Sequence, residues 1–155
     1  MTHKLAAGVV VIKDNKVLLV KQKSGWGLPK GSTEAGEFFY EAASRECLEE
    51  TGLEIVIGDV AFIIEFRSKQ YGQYLQVYYS AKVSESPQFQ INDPDDDIIE
   101  VKFVSITELR EYIRFLPWIV SLEKWVENQT MSYFNYDLDK EGYELIDKDR
   151  TSLHK

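Results

Sequence analysis

Apolar residues occur in short blocks whose period changes along the chain. Residues 4–12 and 16–20 are rich in Val, Ile and Leu and are separated by the turn-prone pair Asp14-Asn15, which predicts two strands of a hairpin. The pattern then breaks. Residues 21–36 carry Gly25, Gly27, Pro29, Gly31 and Gly36 among polar residues, a composition that predicts a loop able to approach a ligand closely. From Glu37 to Thr51 there is neither Gly nor Pro, helix formers dominate, and Gly52 stands where a helix would stop. Strand-like segments follow at about 54–66 and 73–83, the second alternating Tyr74, Gln76 and Tyr78 with Leu75, Val77 and Tyr79. An acidic loop, Asp93 to Asp97, leads into a strand from Ile98 to Val104. Ser105-Ile-Thr-Glu108 matches a capping box, and Pro117 opens a further helix through about Asn128. Residues 129–155 mix polar and aromatic side chains without a usable period.

Strands on both sides of a central helix, with helices near the end, predict an α/β fold: a mixed sheet flanked by helices. At 155 residues the chain suits one domain spanning 1–155, with a core at about 4–128 and a C-terminal extension at 129–155. The longest apolar run, Leu5 to Ile12, is too short to span a bilayer, and the first residues lack a signal-peptide pattern. The single cysteine, Cys47, makes no internal disulfide and supplies no Cys/His zinc set. A soluble, cytoplasmic protein is expected. A net charge of -8 argues against polymeric nucleic acid as a partner, because that binding rests on neutralising phosphates with Lys and Arg. A small phosphate ester is different, since metal cations can bridge two negative partners.

The predicted central helix carries the chemistry. At 3.6 residues per turn, Glu46 lies one turn from both Glu49 and Glu50, so three carboxylates share one side. Like charges at this spacing repel. Arg45, four residues before Glu49, offsets part of the repulsion, but one guanidinium cannot neutralise three carboxylates. Hard, oxygen-seeking cations such as Mg²⁺ or Mn²⁺ answer that need, and they also clamp phosphate oxygens and acidify water. Gly31, six residues before Glu37, lets a main-chain group of the loop face the same place.

The segment Gly31 to Leu53 resembles the signature of the Nudix hydrolase family, Gly-x5-Glu-x7-Arg-Glu-U-x-Glu-Glu-x-Gly-U with U a bulky aliphatic residue. Gly31, Glu37, Arg45, Glu46, Glu49, Glu50, Gly52 and Leu53 all match; seven fixed residues agree by chance at a given start roughly once in 10⁸. Cys47 departs from the first U position, where a small, usually buried residue can fill the same packing role. The preceding hairpin, Trp26-Gly-Leu-Pro29 and Phe103-Val-Ser-Ile-Thr-Glu108-Leu also look like the family, which extends the resemblance over about residues 4–128.

The resemblance implies a Nudix-like α/β/α sandwich and a metal-dependent hydrolase. It would cleave a phosphoric anhydride in a nucleoside diphosphate derivative such as a dinucleoside polyphosphate, a nucleoside triphosphate or ADP-ribose. By similarity, Glu46, Glu49 and Glu50 would hold Mg²⁺ or Mn²⁺ with the Gly31 carbonyl, Arg45 would orient a glutamate, and Glu37 would pair with Arg45 or lend outer support. The general base stays open between the signature helix and a carboxylate elsewhere, for which Glu100, then Asp97, is the candidate. Lys30 is the favoured phosphate ligand among Lys21, Lys23 and Lys30, and Tyr71, Tyr74, Tyr78 and Phe66 are candidates for stacking on a base. Pro29-Lys30-Gly31 with Tyr71 is loosely similar to dinucleoside polyphosphate hydrolases, a feature other subfamilies share. The rival reading is a non-catalytic nucleotide sensor on the same fold. Serine or cysteine nucleophile catalysis lacks a base, because His3 and His154 lie at the two ends of the chain. A homodimer through a sheet edge or the aromatic C-terminal region stays open.

Overall fold

A computed structural model describes residues 3–84 and 86–144. Strands β1 (Lys4–Lys13) and β2 (Lys16–Gln22) form the expected hairpin, with Asp14 and Asn15 both at positive φ in its two-residue turn. Two short strands, β3 (Gly25–Gly27) and β4 (Lys30–Ser32), follow inside the segment expected to be a loop. Helix α1 is Phe39–Thr51, and the long antiparallel pair β5 (Val56–Ser68) and β6 (Gly72–Lys82) comes next. Then come β7 (Glu100–Ser105), a 3-10 turn at Ile106–Glu108, α2 (Leu109–Tyr112), α3 (Leu116–Asn128), β8 (Ser132–Asp137) and α4 (Leu138–Glu141).

The strands build one mixed sheet in the order β3-β2-β1-β6-β5-β8, with β4 also paired to β1 and β7 to β2. The β1–β6 and β5–β8 pairs are parallel and the others antiparallel. The unbroken apolar run of β1 is explained by cover on both faces. Val9 and Val11 pack in one cluster with Ala42, Ala43 and Cys47 of α1, whereas Val10 faces the other cluster with Ile119, Leu122 and Trp125 of α3. The sheet flanked by helices that the sequence predicted is therefore the observed architecture. Among the described residues, no helix is long and apolar enough to cross a membrane.

Local expectations differ in four places. β3 and β4 form because β2 and β1 offer them unpaired edges, a tertiary partner that composition does not display. α1 begins two residues later than Glu37: the Phe38 amide donates to the Glu41 carboxylate at 2.9 Å, and the helix starts there. No capping box forms at Ser105, whose hydroxyl pairs with that of Thr107 at 3.0 Å while the chain makes a 3-10 turn. Residues 132–141, left unassigned by pattern, hold β8 and α4, with Tyr136 and Leu138 buried in the α3-side cluster. His154 lies outside the described residues.

Candidate active site

The loop, β4 and α1 are brought together by β1. β4 runs antiparallel to Ala6–Gly8, so Lys30 and Gly31 sit beside the start of the sheet, and α1 packs across β1 and β4. Gly8 is needed for this crossing. A Cβ there would lie 2.5 Å from the Pro29 carbonyl oxygen and 2.7 Å from the Tyr78 ring. Gly31 is needed for the next layer, since a Cβ on it would fall on the carboxylate of Glu46.

Arg45 organises the acidic face of α1. Its guanidinium holds Glu37 through two bonds, Nε to Oε2 at 2.7 Å and Nη2 to Oε1 at 3.0 Å. Its Nη1 donates to Glu46 at 2.8 Å and to Glu49 at 3.2 Å, and Nη2 reaches the Ser32 carbonyl at 3.0 Å. The expected Glu37–Arg45 pair is present, and one arginine ties the helix face to the loop in a bidentate, charge-assisted geometry. The hydrogen bonds from Arg45 hold the Glu37 carboxyl below its ordinary range. Glu46 moves up, because partial burial outweighs Arg45.

Glu50 turns the other way. It is buried, and its Oε1 accepts from the backbone N–H of Lys30 at 3.0 Å. Burial pushes its carboxyl up to about 8 against the opposing pull of the nearby Lys30 ammonium, with the charges of Glu46 and Asp93 adding to the rise. Lys30 is partly buried and its ammonium is pushed down, burial again exceeding the attraction of Glu50 and Glu46. Among the described residues no three acidic, histidine or cysteine side chains already converge on one point as ligands: Glu46 and Glu49 are engaged by Arg45, Glu50 by Lys30. The donor set is still that of a hard-cation site, with carboxylates in excess of the positive charge and one of them buried.

Lys30 also borders a cleft of about 380 Å³ on the α3 side of the sheet. Its Nζ lies 5.3 Å from the centre of a Trp118 ring. One wall is the stacked pair Phe66 and Tyr74, their centroids 5.1 Å apart; another is Phe115 edge-on to Trp118 at 4.8 Å. Of the stacking candidates, Phe66, Tyr71 and Tyr74 line the cleft, while Tyr78 is fully buried beneath it. Lys21 and Lys23 are not among its lining residues. Trp26, Gln76, Arg114, Phe115 and Trp118 line it too, none of which the sequence reading singled out as ligand-facing. The alternation Tyr74, Gln76, Tyr78 was the available signal for Gln76; nothing local marks Phe115, just before α3, or Trp118 in its first turn, both of which come from a distant part of the chain.

Glu100 opens β7. It is exposed, lies across from Lys21 in the β2–β7 pairing, and by strand alternation shares a face with Lys102 and Val104. Asp97 is also exposed, its amide bound to the Asp93 carboxylate at 2.8 Å. The carboxylate beyond α1 whose charge reaches Glu50 is Asp93, which also accepts from the amides of Asp95 and Ile98.

The NUDIX domain family matches residues 2–126, the greater part of the chain and all of the loop and helix described above. The chain belongs to that family. It is 28% identical over 126 residues to Nudix hydrolase 6 of Arabidopsis thaliana, which covers 76% of this chain and 43% of that protein. A shorter stretch of 54 residues is 44% identical to the ADP-ribose pyrophosphatase of Methanocaldococcus jannaschii, covering 32% of each chain. The matched stretch thus spans less than half the length of either relative. In three dimensions it is similar to a NUDIX hydrolase from Nitrosomonas europaea, with a TM-score of 0.73, 26% identity, and 89% of this chain matched to 95% of that one.

Proposed function

We propose that this protein is a divalent-metal-dependent hydrolase that cuts a phosphoric anhydride bond in a nucleoside diphosphate derivative. The observation that carries the reading is the double position of Lys30. Its backbone N–H holds the buried Glu50 of the signature helix, and its ammonium lies against Trp118 in the aromatic cleft. The acidic helix face and a cleft suited to a flat ring therefore meet at one residue, as a substrate with a base at one end and phosphates at the other requires.

Glu46, Glu49 and Glu50, with the Gly31 carbonyl, are the residues that would hold Mg²⁺ or Mn²⁺. When bound, the ion supplies positive charge to the phosphate oxygens and acidifies an attacking water. The chain's own groups do the rest. Arg45 presets the directions of Glu46 and Glu49, Lys30 steadies Glu50 and adds charge on the phosphate side, and the aromatic walls take the base by stacking.

The test is a panel of nucleoside triphosphates, dinucleoside polyphosphates, ADP-ribose and nucleotide sugars, incubated with Mg²⁺ in ¹⁸O-labelled water and read by mass spectrometry. Turnover should require metal, place label in a phosphate product, and fall by roughly a hundredfold or more in Glu50→Gln. Binding across the panel without turnover would instead identify a ligand sensor.

A further inference from the structure

Gln76 places a primary amide within an otherwise aromatic cleft. It is 3% exposed on β6 between Tyr74 and Tyr78, and it lines the cavity. Burying an amide is costly unless its groups are paired. Its Oε1 accepts from the Tyr78 hydroxyl at 2.8 Å and from the Trp118 indole nitrogen at 3.0 Å. An indole N–H only donates, so the atom facing it is the amide oxygen, and the orientation of the amide follows from chemistry. Both lone pairs of that oxygen are thereby in use.

The amide nitrogen is left. Among the described residues no acceptor bonds it, and no fully enclosed side-chain polar atom lacks a partner, so the NH₂ group opens into the cleft. A ligand meets it as a fixed donor that cannot accept. That matters for base recognition, because the two purine types differ in this respect along one edge. A 6-oxopurine presents two adjacent acceptors, O6 and N7; a 6-aminopurine presents one acceptor beside an N–H donor. The usual bidentate match of glutamine to adenine needs the amide oxygen, which Trp118 and Tyr78 already occupy.

We infer that Gln76 is a specificity-determining residue that selects a stacked base with a 6-oxo edge over one with a 6-amino edge. The inference rests on the cleft being the base site of the hydrolase proposed above. A base stacked on the walls would set its O6/N7 edge against the amide N–H, which either of those acceptors can take, while a 6-amino group there would oppose donor to donor. Trp118 acts through Gln76 as a positioning residue: its indole keeps the amide from turning over.

The experiment titrates the 155-residue chain, without metal, with IMP, GMP and AMP, reading tryptophan fluorescence. IMP and AMP differ at the 6 position and the neighbouring N1, and none of the three nucleotides has an anhydride to cut. IMP and GMP are expected to bind about tenfold tighter than AMP, the factor that one unmade hydrogen bond produces. Gln76→Met should bring the three to near equality. Because methionine also strands the Trp118 and Tyr78 donors, Gln76→Glu is the companion variant: it keeps an oxygen for both and removes the NH₂, so the preference should fall there too. Equal or tighter binding of AMP by the unaltered protein overturns the inference, as does a 6-oxo preference that survives in whichever variants fold. If none of the three binds while the metal-dependent panel turns over, the inference fails and the hydrolase reading stands.

Discussion

Arg45 shows how one side chain decides what a cluster of carboxylates can do. Left to themselves, Glu37, Glu46 and Glu49 repel; with the guanidinium among them, each has a fixed direction. Gly31 sets the distance between this cluster and the loop. Gly31→Ala is expected to displace the Glu46 carboxylate, lowering kcat/KM by about a hundredfold and stability by about 1–3 kcal/mol. Retention of near-normal kcat/KM would show that the contact is incidental. Glu50 makes a separate prediction. Its folded-state carboxyl titrates near 8 against an ordinary value of 4.5. Between those values the folded chain keeps a proton that the unfolded chain has lost, so stability falls as pH rises through the window. In a chelator, Tm should drop more steeply from about pH 5 to about pH 8 for the native protein than for Glu50→Gln, and Mg²⁺ should restore Tm at the upper end. Identical slopes would mean that Glu50 titrates as a solvated group.

At the scale of elements, the end of α1 is held by a segment with no regular structure. Gly52 takes φ 79° and donates its N–H to the Leu48 carbonyl at 2.8 Å, stopping the helix in the left-handed cap that favours glycine. The loop then returns: the Gln90 amide bonds the Thr51 carbonyl and the Asn92 amide bonds that of Glu49, both at 2.8 Å, so last-turn carbonyls of the helix are satisfied from outside it. Asp93, whose charge reaches Glu50, is the next residue. Gly52→Ala meets both a positive φ and the Gln90 backbone 2.5 Å from the added carbon. It should cost about 2–4 kcal/mol in chemical denaturation and release the amides of Gln90 and Asn92 to faster hydrogen exchange. Unchanged protection of those two amides would sink this account of the loop. The same contacts show why residues 90–92, ahead of the expected acidic loop at Asp93 to Asp97, carried no signal of their own, since their partners are main-chain carbonyls of a distant helix end.

Across the whole molecule, the sheet continues beyond the part that matches the family. β8 runs parallel to β5 at the sheet edge, and Leu138, just after it, is buried at 1% exposure in the cluster under α3. Leu138→Ala should therefore cost about 2–5 kcal/mol, as for a central core position, and urea denaturation would measure it. A loss below about 1 kcal/mol would make the segment an appendage.

What the sequence determined by itself was whatever depends on short spacing. The hairpin at Asp14-Asn15, helix α1 with its stop at Gly52, and the gathering of Arg45, Glu46, Glu49 and Glu50 on one helix follow from turn chemistry and a 3.6-residue period, which act over a few residues. Only the tertiary structure decided the rest. It turned part of a glycine-rich stretch into β3 and β4 by giving them strand edges, joined β8 to β5 across some 70 positions, and set Asp93 near Glu50. It also brought Phe115 and Trp118 against Phe66, Tyr74 and Gln76, converting aromatic residues that read as packing into the walls of a cleft. The physical reason is that a strand's partner and a cleft's opposite wall are contacts between distant parts of the chain, and no local period encodes which distant segment will arrive.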